Sequence, residues 1–132
     1  MRWLIVVAAC GSSSAPSFDE SAYVYELVIA PIGNTVPLYA AREDEVEYDL
    51  RANGQCIGRG VDGEPFRPRK SPHPAGRAGA PPPGLGVTAW LAPVDQIAVG
   101  VIVRSAGKEL VRGCKAALLQ RGQQAVVEVE LK

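Results

Sequence analysis

With 132 residues, 47% apolar and 21% charged, the chain has the size and composition of a single globular domain and not of a disordered segment. Fourteen basic and fourteen acidic residues give zero formal net charge. The positive excess that neutralises phosphates is absent overall, which excludes nucleic acid as an expected partner.

The chain opens Met1-Arg2-Trp3-Leu4-Ile5-Val6-Val7-Ala8-Ala9-Cys10: one positive charge, an uninterrupted apolar run, two small residues and a cysteine. That order suits an export signal, in which the charge stays cytosolic while the apolar run enters the bilayer. The run is far shorter than the about 20 residues a spanning helix needs, so it is not read as a transmembrane anchor. Leu4-Ile5-Val6-Val7 has the propensity of a short buried strand, but it does not alternate, and Gly11-Ser12-Ser13-Ser14 follows the cysteine directly.

Val7-Ala8-Ala9-Cys10 resembles the lipobox of bacterial lipoproteins, and Gly11-Ser12-Ser13-Ser14-Ala15-Pro16-Ser17 is similar to the polar tether that follows it in that family. The resemblance implies that residues 1–9 are a lipoprotein signal segment. Cys10 would be the lipidation site and the mature N-terminus, with 10–21 as acylation site and flexible tether. It also implies a bacterial cell-envelope location. Gly11 in place of Asp implies outer-membrane sorting in Gram-negative bacteria, facing the periplasm. Three acyl chains exceed the two hydrophobic signals that stable anchoring needs, so the membrane is the first expected partner, through the lipid anchor.

Residues 22–132 are read as a single β-rich domain. Tyr23, Tyr25, Leu27 and Ile29 share one face of a strand at 22–30. Thr35 to Ala40 suggests a short strand that Pro37 would push to a sheet edge. Val46, Tyr48 and Leu50 alternate with Glu45, Glu47, Asp49 and Arg51, the pattern of a half-buried strand. Asn53-Gly54 suits a tight turn, so a return strand is expected at 55–61. Residues 62–86 hold seven of the eleven prolines, a Pro/Gly-rich loop that cannot pair regularly. Val87, Ala89 and Leu91 suggest another strand. So do Val99, Val101 and Val103 within 96–104, and Val127, Val129 and Leu131 near the C-terminus. The segment 108–121 reads as a helix on Leu110, Val111, Cys114, Ala117 and Leu118, or as a strand on Leu110, Cys114, Ala116 and Leu118. Strongly β neighbours and the helix cost of Gly113 favour the strand. The expected fold is all-β, a two-sheet sandwich of immunoglobulin-like or transthyretin-like type. The helical alternative at 108–121 would make it α+β.

With Cys10 acylated, Cys56 and Cys114 remain, and in an oxidising compartment they are expected to form one disulfide. A two-residue turn at Asn53-Gly54 would turn Cys56 away from the Val46/Tyr48/Leu50 face. A three-residue loop would put it on that face, as a bridge between packed sheets requires. Glu43, Glu45, Glu47 and Asp49 would line one strand face; strand spacing separates them too widely for one calcium ion, so a solvated face is expected and no metal site. Arg67, Arg69 and Lys70, with Arg77 beyond, form the basic cluster, a possible polyanion or partner contact and otherwise a solvated loop. His73 sits in the proline-rich loop, where no rigid element is expected to hold it for proton transfer. No catalytic residue and no cofactor is assigned.

These readings point to a noncatalytic, membrane-tethered binding or structural component of the envelope, with an envelope protein or cell-wall polymer as partner. One alternative is a small envelope enzyme using surface carboxylates such as Asp95 and Glu47. Another is an inhibitor or chaperone of an exported protein that inserts the 62–86 loop.

Overall fold

The computed structural model describes residues 18–58, 60–73 and 89–132. The signal segment, Cys10, Arg77 and the loop between His73 and Ala89 lie outside the described residues. In chain order the strands are β1 (Tyr25–Gly33), β2 (Val46–Ala52), β3 (Cys56–Ile57), β4 (Gly60–Val61), β5 (Glu64–Pro65), β6 (Arg69–Lys70), β7 (Trp90–Ala92), β8 (Gln96–Ser105), β9 (Lys108–Leu118) and β10 (Gln124–Leu131).

The fold is an all-β sandwich. One four-stranded sheet has the order β9-β8-β2-β5, the other β10-β1-β7-β6, and β3 and β4 form a separate two-stranded ribbon. All pairings are antiparallel except β1 with β10, which run parallel with Glu26 opposite Gln124 and Gly33 opposite Leu131. Of the alternating residues read from the sequence, Leu50, Val99, Val101 and Val103 from one sheet face Leu27, Ile29, Val127, Val129 and Leu131 from the other in the core, whereas Leu110, Cys114, Ala116 and Leu118 lie outside it, Leu110 and Leu118 being exposed. Each core side chain, fully buried, contributes roughly 1.5–3 kcal/mol over exposure. Residues 108–118 form a strand, and the helical alternative does not occur.

At one corner the two sheets meet. The Arg112 amide donates to the Lys132 carbonyl at 3.4 Å, and the Lys132 amide donates to the Arg112 carbonyl at 3.1 Å. Gly113 permits this approach. A Cβ there would collide with the Glu130 carbonyl oxygen and lie 2.8 Å from its carbon and 3.0 Å from a Val129 methyl. The glycine that counted against a helix is a point of backbone contact.

Several expectations are corrected. Residues 36–40 are a short α-helix, not an edge strand; Pro37 falls in its first turn, where proline has no amide to waste, and Leu38 is fully buried. The first strand runs 25–33, not 22–30. Ordered structure begins before residue 22: Phe18 packs against the core and Glu20–Ala22 is a 3-10 turn capped by Asp19, so a flexible tether does not extend to residue 21. Residues 55–61 do not return along β2. The partner of β2 there is β5, with Arg51 opposite Pro65 and Ala52 opposite Glu64. The start of the proline-rich stretch also pairs, through β5 and β6, because each contributes only two residues at a sheet edge, where a missing amide is tolerated.

Candidate functional site

The ribbon owes its position to the turn at 53–54. Asn53 takes φ +53° and donates its amide to the Gln96 carbonyl at 2.8 Å. Gly54 is packed so tightly that a Cβ would strike the Asp62 carbonyl. The chain leaves β2 and folds back over the outer face of the same sheet. Asp62 closes the base of the excursion, its carboxylate accepting from the Gln55 amide at 2.8 Å and its own amide donating to the Gln55 carbonyl at 2.9 Å. A Val61 methyl lies 3.4 Å from where a Cβ on Gly100 would stand, so a strand position lacking a side chain receives the ribbon. Ala98 and Gly100 are therefore buried although they point away from the core.

Cys56 and Cys114 form a disulfide with an S–S distance of 2.03 Å. Cys114 stands opposite Gly100 on β9, and Arg112 stands opposite Ile102. The bridge therefore ties the ribbon to the outer face, and neither register expected for the 53–54 turn is adopted. It is not a bridge between the packed sheets.

Beside the disulfide, next to the contact of β9 and β10 at Gly113, lies an open cleft of about 530 Å³. Cys56, Gly58, Cys114, Arg112 and Lys115 line one side, and Ile32, Glu128, Glu130 and Lys132 line the other. Arg112 is braced by Glu109, with Nε at 2.9 Å and Nη2 at 2.5 Å from the carboxylate oxygens. That carboxylate holds the guanidinium pKa above its ordinary value. The cleft thus combines fixed charges of both signs, one exposed aliphatic side chain and a sulfur pair.

A second polar cluster was not foreseen. Glu26 interrupts an apolar strand and its side chain is only 13% exposed. One carboxylate oxygen accepts from the Ser71 hydroxyl at 2.8 Å and from Gln124 Nε2 at 2.9 Å, and the other lies 3.4 Å from His73 Nδ1. Burial opposes the charge, but the hydrogen bonds from Ser71, Gln124 and His73, with the attraction of His73, outweigh it and lower the carboxyl pKa. Ser71 also accepts the His73 amide at 3.1 Å. His73 is thus held by a rigid element, contrary to expectation, although its ring is largely exposed. The Ser71 proton is directed at a carboxylate and not at an imidazole, which is the geometry of an anchor for the loop and not of an activated nucleophile. The lone carboxylate inside an apolar strand was the available signal.

The basic cluster is divided. Arg69 pairs with Glu20 at 2.5 Å and its guanidinium lies 4.9 Å from the Tyr23 ring centroid, so it pins the N-terminal segment to β6. Arg67 and Lys70 are exposed, and Arg77 lies outside the described residues. The acidic row is broken: Glu43–Glu45 form a 3-10 turn and leave the strand, while Glu47 pairs with Arg104 at 2.6 Å and Asp49 with Arg51 at 2.7 Å. Asp95 is exposed in the turn between β7 and β8.

Compared with protein-family models, with curated proteins and with solved structures, the chain matches none of them. Among the described residues no helix is long and apolar enough to cross a membrane.

Proposed function

We propose that this chain is an exported lipoprotein, anchored through Cys10 to the bacterial envelope, whose sandwich is a noncatalytic binding or structural module. The observation that carries the reading is the Cys56–Cys114 bridge in so small a domain. Such bridges persist in oxidising, extracytoplasmic compartments and are rare in reducing ones. The lipobox-like Val7-Ala8-Ala9-Cys10 supplies a route there. The outer-membrane, periplasm-facing location belongs to the same proposal and follows from Gly11. For binding, the cleft beside the disulfide is the favoured surface, because it is concave, carries both charge signs and has rigid strands on two sides.

Palmitate labelling in a Gram-negative host, beside Cys10→Ala, tests the anchor. Label is expected in the parent and not in the variant; equal absence in both would refute it. Recovery of an envelope protein or cell-wall polymer by the purified full chain tests the binding role. Recovery lost in Glu128→Lys/Glu130→Lys would place the contact at the cleft, and recovery of nothing by the parent chain would count against a binding module.

A further inference from the structure

We propose that the Cys56–Cys114 bridge is a thiol–disulfide exchange site, open through the cleft to a protein dithiol, and that its reduction releases the ribbon while both sheets stay folded. The proposal extends beyond the envelope reading and does not depend on lipid anchoring.

Three observations converge on it. First, the bridge lies on the outer face, and neither cysteine belongs to the core cluster. A bridge between the sheets would be screened by side chains; this one borders an open cleft whose neighbouring walls include Gly58 and Gly113, which have no side chains to cover the sulfurs. Second, the two cysteines differ: Cys56 is exposed and Cys114 is half-buried. Attack is therefore directed at Cys56 Sγ, leaving Cys114 Sγ as the departing thiolate on the strand that carries Arg112 and Lys115. Third, the ribbon is a two-stranded sheet of its own, resting on the larger sheet without joining its hydrogen-bonded ladder. Cys56 pairs with Val61 and Ile57 with Gly60, and the Gln55/Asp62 hydrogen bonds close its base independently of the bridge.

The chemistry balances as two successive exchanges. A thiolate of the dithiol forms a bond to Cys56 Sγ; the Cys56–Cys114 bond breaks, and its electron pair leaves on Cys114, which takes a proton from solvent. The second thiol of the partner loses its proton and attacks the mixed disulfide, and Cys56 departs as thiolate. Two electrons pass to the bridge and the partner becomes a disulfide.

The test uses oxidised full-length protein carrying Cys10→Ser, dithiothreitol without denaturant, an iodoacetamide quench and peptide mapping. Reduction is expected to be at least about tenfold faster than global unfolding in the same buffer. The far-UV circular dichroism should be retained, with new amide exchange confined to residues 55–62 and the strand beneath them. Glutathione, whose second step needs another glutathione molecule, should be found as a mixed disulfide on Cys56 when the reaction is quenched early. Reduction that keeps pace with global unfolding across a urea series would overturn the proposal. So would loss of the β signal on reduction, or glutathione trapped mainly on Cys114. Each of these outcomes is independent of palmitate labelling, so failure here is distinguishable from failure of the lipoprotein reading.

Discussion

Replacing Gly113 and Gly100 by alanine places the same methyl on adjacent strands of one sheet, and the surroundings predict opposite results. At Gly113 the new Cβ would overlap the Glu130 carbonyl oxygen and lie 2.8 Å from its carbon. Relaxed carbon contacts stand at about 3.5–4.0 Å, so β9 and β10 must separate by roughly 0.7 Å or more. The Arg112–Lys132 pair of hydrogen bonds, at 3.1 and 3.4 Å, has little slack to absorb that movement. Overpacking costs about 1–3 kcal/mol and each lost bond about 0.5–1.5, which together suggest about 2–4 kcal/mol of destabilisation. At Gly100 the nearest atoms are a Val61 methyl at 3.4 Å and Asp49 Cβ at 3.5 Å, ordinary contacts. Gly100→Ala should be neutral or stabilising by roughly 0.5 kcal/mol, through reduced freedom of the unfolded chain. Thermal and urea unfolding of the oxidised proteins provides the assay. At roughly 4 °C per kcal/mol, the two variants should differ in Tm by about 8 °C or more. Equal midpoints, or Gly113→Ala within 0.5 kcal/mol of the parent (roughly 2 °C), would refute the close approach of the sheets.

Three further outcomes follow from other sites. Ala106 and Gly107 turn the β8–β9 hairpin with φ +51° and +79°, so Ala106→Asn should stabilise by about 0.5–1 kcal/mol while Ala106→Val should cost at least about as much; chemical denaturation distinguishes the two. Glu26 has a folded-state pKa below its ordinary 4.5, so its contribution is complete above that value and is lost as pH falls through the folded pKa. The drop in Tm from neutral to acidic pH should therefore be smaller in Glu26→Gln, and parallel curves would contradict the anchor role. The bridge closes a span of 58 residues, for which the chain-entropy relation gives about 4 kcal/mol as an upper figure. Cys56→Ser/Cys114→Ser should lower the unfolding free energy obtained from urea titration by no more than this, with the β signal intact.

The strands that were legible are those whose burial follows a period of two. Val99, Val101 and Val103 are all fully buried, as are Val129 and, nearly so, Val127 and Leu131. Such alternation is local, so it survives without knowledge of the partner strand. The 36–40 segment was misread because Pro37 suits a sheet edge and a first helical turn equally well, and only the burial of Leu38 decides between them. The 55–61 ribbon was misread because Asn53-Gly54 signals a reversal but not its plane. What sets the plane is Gly100, forty-six residues away, which leaves room for Val61. The parallel pairing of the first and last long strands was equally beyond local reasoning, since no hairpin connects them.

The cleft depends on that same non-local geometry. Its lining comes from β9 and β10 on either side of their contact at Gly113 and from the ribbon, which places Cys56 against it. A pair of cysteines in sequence could be assigned a bond from compartment chemistry alone, but whether that bond is shielded or open depends on the face that carries it. Here the bond faces outward beside a backbone contact that tolerates no side chain. The structural glycine and the exposed sulfur pair are therefore parts of one arrangement. A substitution that forces the sheets apart at Gly113 should alter the reactivity of the bridge as well as the stability of the domain. If Gly113→Ala destabilises as predicted, its dithiothreitol reduction rate should change by more than that of Gly100→Ala, and equal rates would mean that the cleft and the sheet contact are independent.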